Sequence, residues 1–212
     1  MLITDIKSQT KDPLRENIYL DGKFGFGIAA EKRFEHRLKV GQNLSEKEVK
    51  DLVFEDQVGK LLVSAERFLS FRPRSTKEIR DNLKRKLEKG EYVEPEKILD
   101  EVVGKLTKLS LVNDEEFTRW WIEQRQKFKP RGERLLRSEL HGKGIGRELI
   151  DEALYDYHSP GGEVEKVARK KAASYQALPD REFRAKLGAY LARRGYDWDE
   201  ISRVIDRVVH SR

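Results

Sequence analysis

The chain has 212 residues, no cysteine and a formal charge of +6, with 39% charged and 37% hydrophobic residues. This excludes disulfides, thiolate chemistry and Cys-ligated metals, and leaves thin cores under strongly charged surfaces. Asp5 and Lys7 stand where a signal peptide needs an apolar core, no uncharged run approaches a membrane span, and the lack of cysteine fits a reducing cytosol.

Residues 3–28 read as strands. Asn17–Phe26 alternates apolar and polar residues across Asp21-Gly22, a favoured type I′ turn pair because both positions need φ > 0. With a short helix over 30–39, this predicts a small β-hairpin module at 1–44. Ser45 and Glu48 form a capping box. The stripe Val49, Leu52, Val53, Val58, Leu61, Leu62 and Ala65 continues toward Phe71, with a break expected near Gly59 and an end at Pro73. Ser75 and Glu78 form a second capping box, opening a helix of Ile79, Leu83 and Leu87 that stops at Gly90. Pro95 opens the next, with Ile98, Val102, Val103 and Leu106. These fill a linker and first three-helix repeat at 45–110. Asn113 caps a helix of Phe117, Trp120 and Trp121 that ends at Lys129-Pro130. Helices over 135–140 and 148–155 complete a second repeat at 111–160. Ser159-Pro160-Gly161-Gly162 is a hinge signal. Helices over 164–175, 181–193 and 199–209 make a third repeat at 161–212.

One pattern recurs. Leu136, Leu140, Lys143-Gly144-Ile145, Ile150 and Leu154 return as Leu187, Leu191, Arg194-Gly195-Tyr196, Ile201 and Ile205, about 51 residues later. A looser copy is Leu83, Leu87, Lys89-Gly90, Ile98 and Val102. The fold class is mainly all-α, an elongated tandem of three-helix bundles behind a β-hairpin module. Each Lys/Arg-Gly step is expected to end a helix with glycine in the left-handed region, setting the angle between two helices of a bundle. Gly142-Lys-Gly-Ile-Gly146 follows a helix and lacks the P-loop ending, so it reads as a turn rather than a phosphate loop.

No catalytic, cofactor or metal constellation stands out. His36, His141, His158 and His210 have no ligand spacing. The charge is more informative. Residues 119–147 carry nine Lys/Arg against three Asp/Glu, and 166–212 carry twelve against six, while 148–165 between them carry six acids and no base and 1–118 balance. A clustered basic excess is the footprint of a polyanion or an acidic protein surface. In the first block Arg119, Trp120, Trp121, Arg125, Lys127, Lys129 and Arg131 mix aromatics with cations, a combination that stacks bases and grips phosphates. Adjacent tryptophans point about 100° apart on a helix, so one is assigned to the core and the other to a contact surface. Arg134, Arg137, Lys143 and Arg147 extend this candidate surface, and Lys170, Lys171, Arg193 and Arg194 continue it in the last repeat.

Several pieces together resemble a known family. Ala65-x-x-x-Leu69-Ser-Phe-Arg72-Pro-Arg74-Ser75-x-x-Glu78-Ile79-x-x-x-Leu83 is similar to the signature of the RecX family of recombinase regulators. So are Asn113-Asp114-x-x-Phe117 with Arg125, Glu139-Leu140-x-x-Lys143-Gly144-Ile145, and Arg193-Arg194-Gly195-Tyr196 with Ile201 and Ile205. The resemblance implies a non-enzymatic, cytoplasmic protein that binds the RecA recombinase filament and modulates its ATPase and strand exchange in DNA repair and the SOS response. It also implies DNA contact, directly or through the filament. A monomer with no cofactor and no membrane partner is expected. The competing expectations are a stand-alone nucleic-acid-binding helical repeat protein and a purely structural adaptor.

Overall fold

The computed structural model describes residues 1–155 and 162–211. Three strands form one antiparallel sheet in the order β1 (Ile3–Ser8), β2 (Arg15–Leu20), β3 (Lys23–Ala29). Asp21 at φ 49° and Gly22 at φ 81° close the β2–β3 hairpin, as the Asp-Gly pair predicts. The hairpin is completed by β1, because a two-stranded ribbon alone buries too little. Ile3, Ile18, Phe26 and Ile28 point to one side and pack with Leu38, Leu44 and Leu52.

Ten helices follow among the described residues: α1 (Ala30–Glu35), α2 (Glu46–Leu69), α3 (Thr76–Leu87), α4 (Pro95–Lys108), α5 (Asp114–Phe128), α6 (Glu133–Gly142), α7 (Arg147–Leu154), α8 (Glu163–Ala172), α9 (Asp180–Arg193) and α10 (Trp198–His210). Both capping boxes form: Ser45 with Glu48, and Ser75 with Glu78. The break expected near Gly59 does not occur. Val58, Leu61 and Ala65 are buried on either side of that glycine, and their packing outweighs the roughly 1 kcal/mol that glycine costs a helix. Phe71 lies beyond α2 and is exposed.

Three helical cores form, α2–α4, α5–α7 and α8–α10, each centred on the apolar positions of the recurring pattern. The chain groups into two compact units, Met1–Arg72 with Ile79–Val112, and Pro73–Glu78 with Asn113–Arg212. In the first, the buried Asp56 of α2 ties the sheet to the helix. Its carboxylate accepts from the Ala29 amide at 3.0 Å and pairs with Arg15 at 2.7 Å and Lys60 at 3.0 Å. The hinge signal at Ser159, Pro160 and Gly161, and the boundary placed there, lie outside the described residues; Gly162, at φ 104°, precedes α8.

Of the three Lys/Arg-Gly steps, two behave as the pattern predicts. Gly144 (φ 81°) and Gly195 (φ 84°) end α6 and α9 in the left-handed region. Each end is closed by paired backbone bonds, Gly144 to His141 and Ile145 to Leu140, Gly195 to Ala192 and Tyr196 to Leu191. Gly90 does not adopt positive φ; the ring of Tyr92 covers it instead. Its role also differs from the expected one of setting two helices within a bundle. Ser110 takes φ 55° at the end of α4 without being glycine, so positive φ alone does not demand the residue. A Cβ on Gly144 would lie 2.7 Å from Lys77 in the first turn of α3, and one on Gly195 would lie 2.5 Å from Leu135 in the first turn of α6. The glycine lets the end of one repeat's middle helix meet the start of the preceding repeat's middle helix. Gly90 belongs to the first repeat and has no preceding repeat to meet.

Candidate nucleic-acid interface

The second unit holds the larger share of the basic excess, and its cations sort by what holds them. Around Trp121 they are held by acids. The indole Nε1 donates to Glu139 Oε2 at 3.0 Å, and Arg125 Nε donates to the same oxygen at 2.6 Å. Arg131 approaches the other Glu139 oxygen at 3.7 Å. Lys143 pairs with Glu78 at 2.6 Å, while Arg125 and Lys143 also lie over the Trp121 ring, at 4.2 and 5.0 Å. Ser75 Oγ, fully buried, donates to the Lys143 carbonyl at 2.7 Å, and Asp114 accepts from the Thr76 amide at 2.7 Å.

This corrects the expectation for the tryptophans. Neither is core: Phe117 and Ile122 fill that place, and Trp120 and Trp121 both pack half-buried beside them. Trp121 needs a partner for its indole N–H, and the Glu139 network supplies one at the edge of the core. Other candidates on this repeat are also paired. Arg119 is bound by Glu115, and Arg137 by Glu133 at 2.8 Å and by Asp151; those two acids hold the Arg137 guanidinium's pKa above its ordinary value. Arg147 is almost wholly exposed and reaches Asp151 at 3.6 Å.

The last repeat holds its cations differently. Lys171 sits 4.8 Å from the Tyr175 ring centroid and 5.6 Å from that of Tyr190. The Arg194 guanidinium lies 4.9 Å from the Tyr190 centroid and donates to the Pro130 carbonyl at 3.4 Å. Lys170, Arg193 and Lys129 flank this strip in sequence and are exposed. Among the described residues none of these five cations has a carboxylate partner. Three acids of the last repeat are engaged by other cations: Glu165 by Arg169 and Arg207, Glu182 by Lys186, Asp206 by Arg184. Among the described residues Lys127 likewise meets a ring, that of Phe128 at 5.5 Å, and no carboxylate.

A joint within this unit brings Pro130 to Arg194. The Gly132 amide donates to the Arg194 carbonyl at 2.9 Å, and Arg134 donates to the Ala192 carbonyl at 2.8 Å. A Cβ on Gly132 would lie 2.1 Å from the Gly195 oxygen, so only glycine fits. The carbonyl-rich end of α9 thus faces the amide-rich start of α6, a favourable pairing of helix dipoles. Sequence reasoning missed Gly132, Tyr175 and Tyr190. The tyrosines carried a faint signal, each lying four residues from a candidate cation, Lys171 or Arg194.

Among the described residues no group of His, Cys, Asp and Glu is placed to hold a metal, and no helix is long and apolar enough to cross a membrane.

The fold and this surface define a tandem three-helix repeat protein with a β-sheet module and an uncompensated basic strip. Family models agree: the RecX N-terminal domain matches residues 1–45, and the first, second and third RecX three-helix domains match 62–106, 113–154 and 164–205. The regulatory protein RecX of Bacillus subtilis is 32% identical over 208 residues, 97% of this chain and 76% of that protein. The regulatory protein RecX of Clostridium tetani is 30% identical, covering 99% of this chain and 95% of its own. A crystal structure of regulatory protein RecX superposes with a TM-score of 0.74 at 26% identity, over 97% of this chain and 98% of that one. The chain belongs to the RecX family of regulatory proteins.

Proposed function

We propose that this protein regulates homologous recombination by binding the RecA recombinase filament, or its complex with DNA, and altering ATP hydrolysis and strand exchange. The observation that carries the reading is the strip of Lys171, Arg194 and their neighbours, whose charge no carboxylate of the described chain neutralises. Family membership identifies the protein as regulatory, and the strip gives the charge that a polyanion-bearing filament would meet. Binding acts by differential affinity: a protein that prefers one filament state shifts the population toward it. No catalytic residue is assigned, and the protein is taken to act as a cytoplasmic monomer of one β module and three repeats, with boundaries near 44, 110 and 160.

The test is RecA ATPase and strand exchange with the protein added at increasing concentration. A concentration-dependent change in either, weakening as salt rises, is expected. No change in both overturns the reading. The stand-alone nucleic-acid-binding alternative predicts equal DNA affinity with and without recombinase.

A further inference from the structure

We propose that a cleft where the second and last repeats meet takes an arginine side chain from a protein partner, held between the Trp198 ring and the carboxylates of Asp197 and Glu200. The inference deepens the regulatory reading, and rests on it for the identity of that partner as the recombinase. The cleft measures about 560 Å³ and lies between the start of α6 and the turn from α9 into α10. The backbone bond from Gly132 to Arg194 ties its two sides together, so the walls are set before a ligand arrives. Trp198, the first residue of α10, stands in one wall and is 65% exposed. Its six-membered ring rests against α9, where a Cβ on Gly188 would lie 3.5 Å from it.

Other rings of this chain already carry cations. Lys7 lies over Tyr19, Arg125 and Lys143 over Trp121, Lys171 over Tyr175, and Arg194 over Tyr190. Among the described residues no cation lies over Trp198, although indole offers the strongest cation–π face. The sign of the charge also reverses here. Glu133, Asp197 and Glu200 line the cleft against Arg134 and Arg137. Both arginines are engaged: Arg134 donates to the Ala192 carbonyl, and Arg137 is held by Glu133 and Asp151. Asp197 caps α10 by accepting from the Asp199 amide at 2.9 Å, and among the described residues its carboxylate pairs with no cation. A polyanion gains nothing from such a cleft. A guanidinium does, because it is planar, stacks on an indole and presents its N–H fork to a carboxylate at the ring's edge.

The experiment uses the isotope-labelled full chain, whose three tryptophans give three indole N–H signals by NMR. The signal lost in Trp198→Leu is that of Trp198. An acetylated glycine–arginine–glycine amide is titrated in, beside the same peptide with citrulline, the neutral isostere of arginine. The arginine peptide should shift the Trp198 signal saturably and leave Trp120 and Trp121 in place, and citrulline should not shift it. Asp197→Asn, which keeps the cap, should weaken the peptide about two- to fivefold. Equal shifts from both peptides, or none at Trp198 from either, overturn the cleft. So does spermidine that competes as well as the arginine peptide. Trp198→Leu with Asp197→Asn should then weaken sedimentation with the RecA–DNA filament about fivefold or more, with Trp198→Phe recovering part of the loss. Affinity for labelled oligo-dT, read by anisotropy, should stay at the wild-type value. A folded double variant that binds the filament and modulates its ATPase like wild type overturns the cleft as the recombinase contact and leaves the regulatory reading standing. Wild-type protein that takes the arginine peptide at Trp198 yet neither binds the filament nor alters its ATPase supports the cleft and overturns the regulatory reading.

Discussion

The second and last repeats each place cations against aromatic rings, and their surroundings give those cations opposite roles. Around Trp121, Glu139 holds Arg125 and Arg131 and Glu78 holds Lys143, so two carboxylates offset most of the charge of three cations and the cluster contributes mainly to the fold. Around Tyr190, Lys171 and Arg194 have rings and a carbonyl but, among the described residues, no acid, so their charge remains available. Counting Lys and Arg along the sequence cannot tell these apart. A basic block becomes a basic surface only where the fold leaves its charges uncompensated.

The largest expected effect comes from the joint that positions the strip. Gly132→Ala drives a Cβ into the Gly195 carbonyl, a backbone collision no rotamer relieves. It should cost about 3 kcal/mol, read in urea melts, and should weaken oligo-dT binding by moving Pro130 away from Arg194. Gly195→Val adds left-handed strain of about 1–3 kcal/mol to a similar collision. Gly90→Ala, which has neither positive φ nor a backbone neighbour, should be milder because only the Tyr92 ring must shift. Equal melts for all three would show that the joint does not set the last repeat.

Glu139→Gln turns the acid-held cluster into a copy of the ring-held one. Removing the shared carboxylate from Arg125, Arg131 and Trp121 should destabilise by about 1–3 kcal/mol. It should also strengthen salt-sensitive DNA binding, the reverse of what Lys171→Gln with Arg194→Gln should do. A destabilised protein whose salt slope stays at the wild-type value would break the comparison.

Charge reversal separates the two environments within one sequence block. Lys127→Glu with Lys129→Glu should lower polyanion affinity and leave the melt within about 0.5 kcal/mol, as for surface changes away from special features. Arg125→Glu with Arg131→Glu should instead cost stability, because two further acids then face Glu139. Identical stability losses for the two pairs would show that Glu139 distinguishes nothing.

The smallest effect is a pH response. In the N-terminal unit burial raises the Glu55 pKa, but hydrogen bonds from Lys32 and His36 outweigh it and leave the carboxyl below its ordinary value. A depressed folded pKa means the stabilisation is complete above the unfolded glutamate value of about 4.3 and drains as pH falls through the lower folded value. The cluster is a third exposed, so the loss should be under about 1 kcal/mol. Glu55→Gln should flatten the acid limb of the stability curve. Among the described residues the ring-held strip has no carboxylate partner to protonate, so its affinity for a polyanion should hold over the range where Glu55 fails.

The sequence alone determined the local and periodic features. Capping boxes at Ser45 and Ser75, the Asn113 cap and the Asp21-Gly22 turn depend on residues a few positions apart, so their chemistry is visible in the chain. The apolar period of Leu136, Leu140 and Ile150, repeated at Leu187, Leu191 and Ile201, states which faces are buried, because burial follows helical spacing. The remaining features depend on partners distant in the chain. Continuity through Gly59 came from packing on both sides of it. The half-burial of Trp120 and Trp121 followed once Phe117 and Ile122 occupied the core. Gly132 acquired its meaning only when the Gly195 carbonyl, far along the chain, came against it. The candidate interface divided in the same way. Residue types announced its cations, but whether each met Glu139, Glu78 or the ring of Tyr190 was fixed by helix ends meeting across repeats. Electrostatic compensation is a property of ångström distances, and sequence spacing beyond one helix does not encode those.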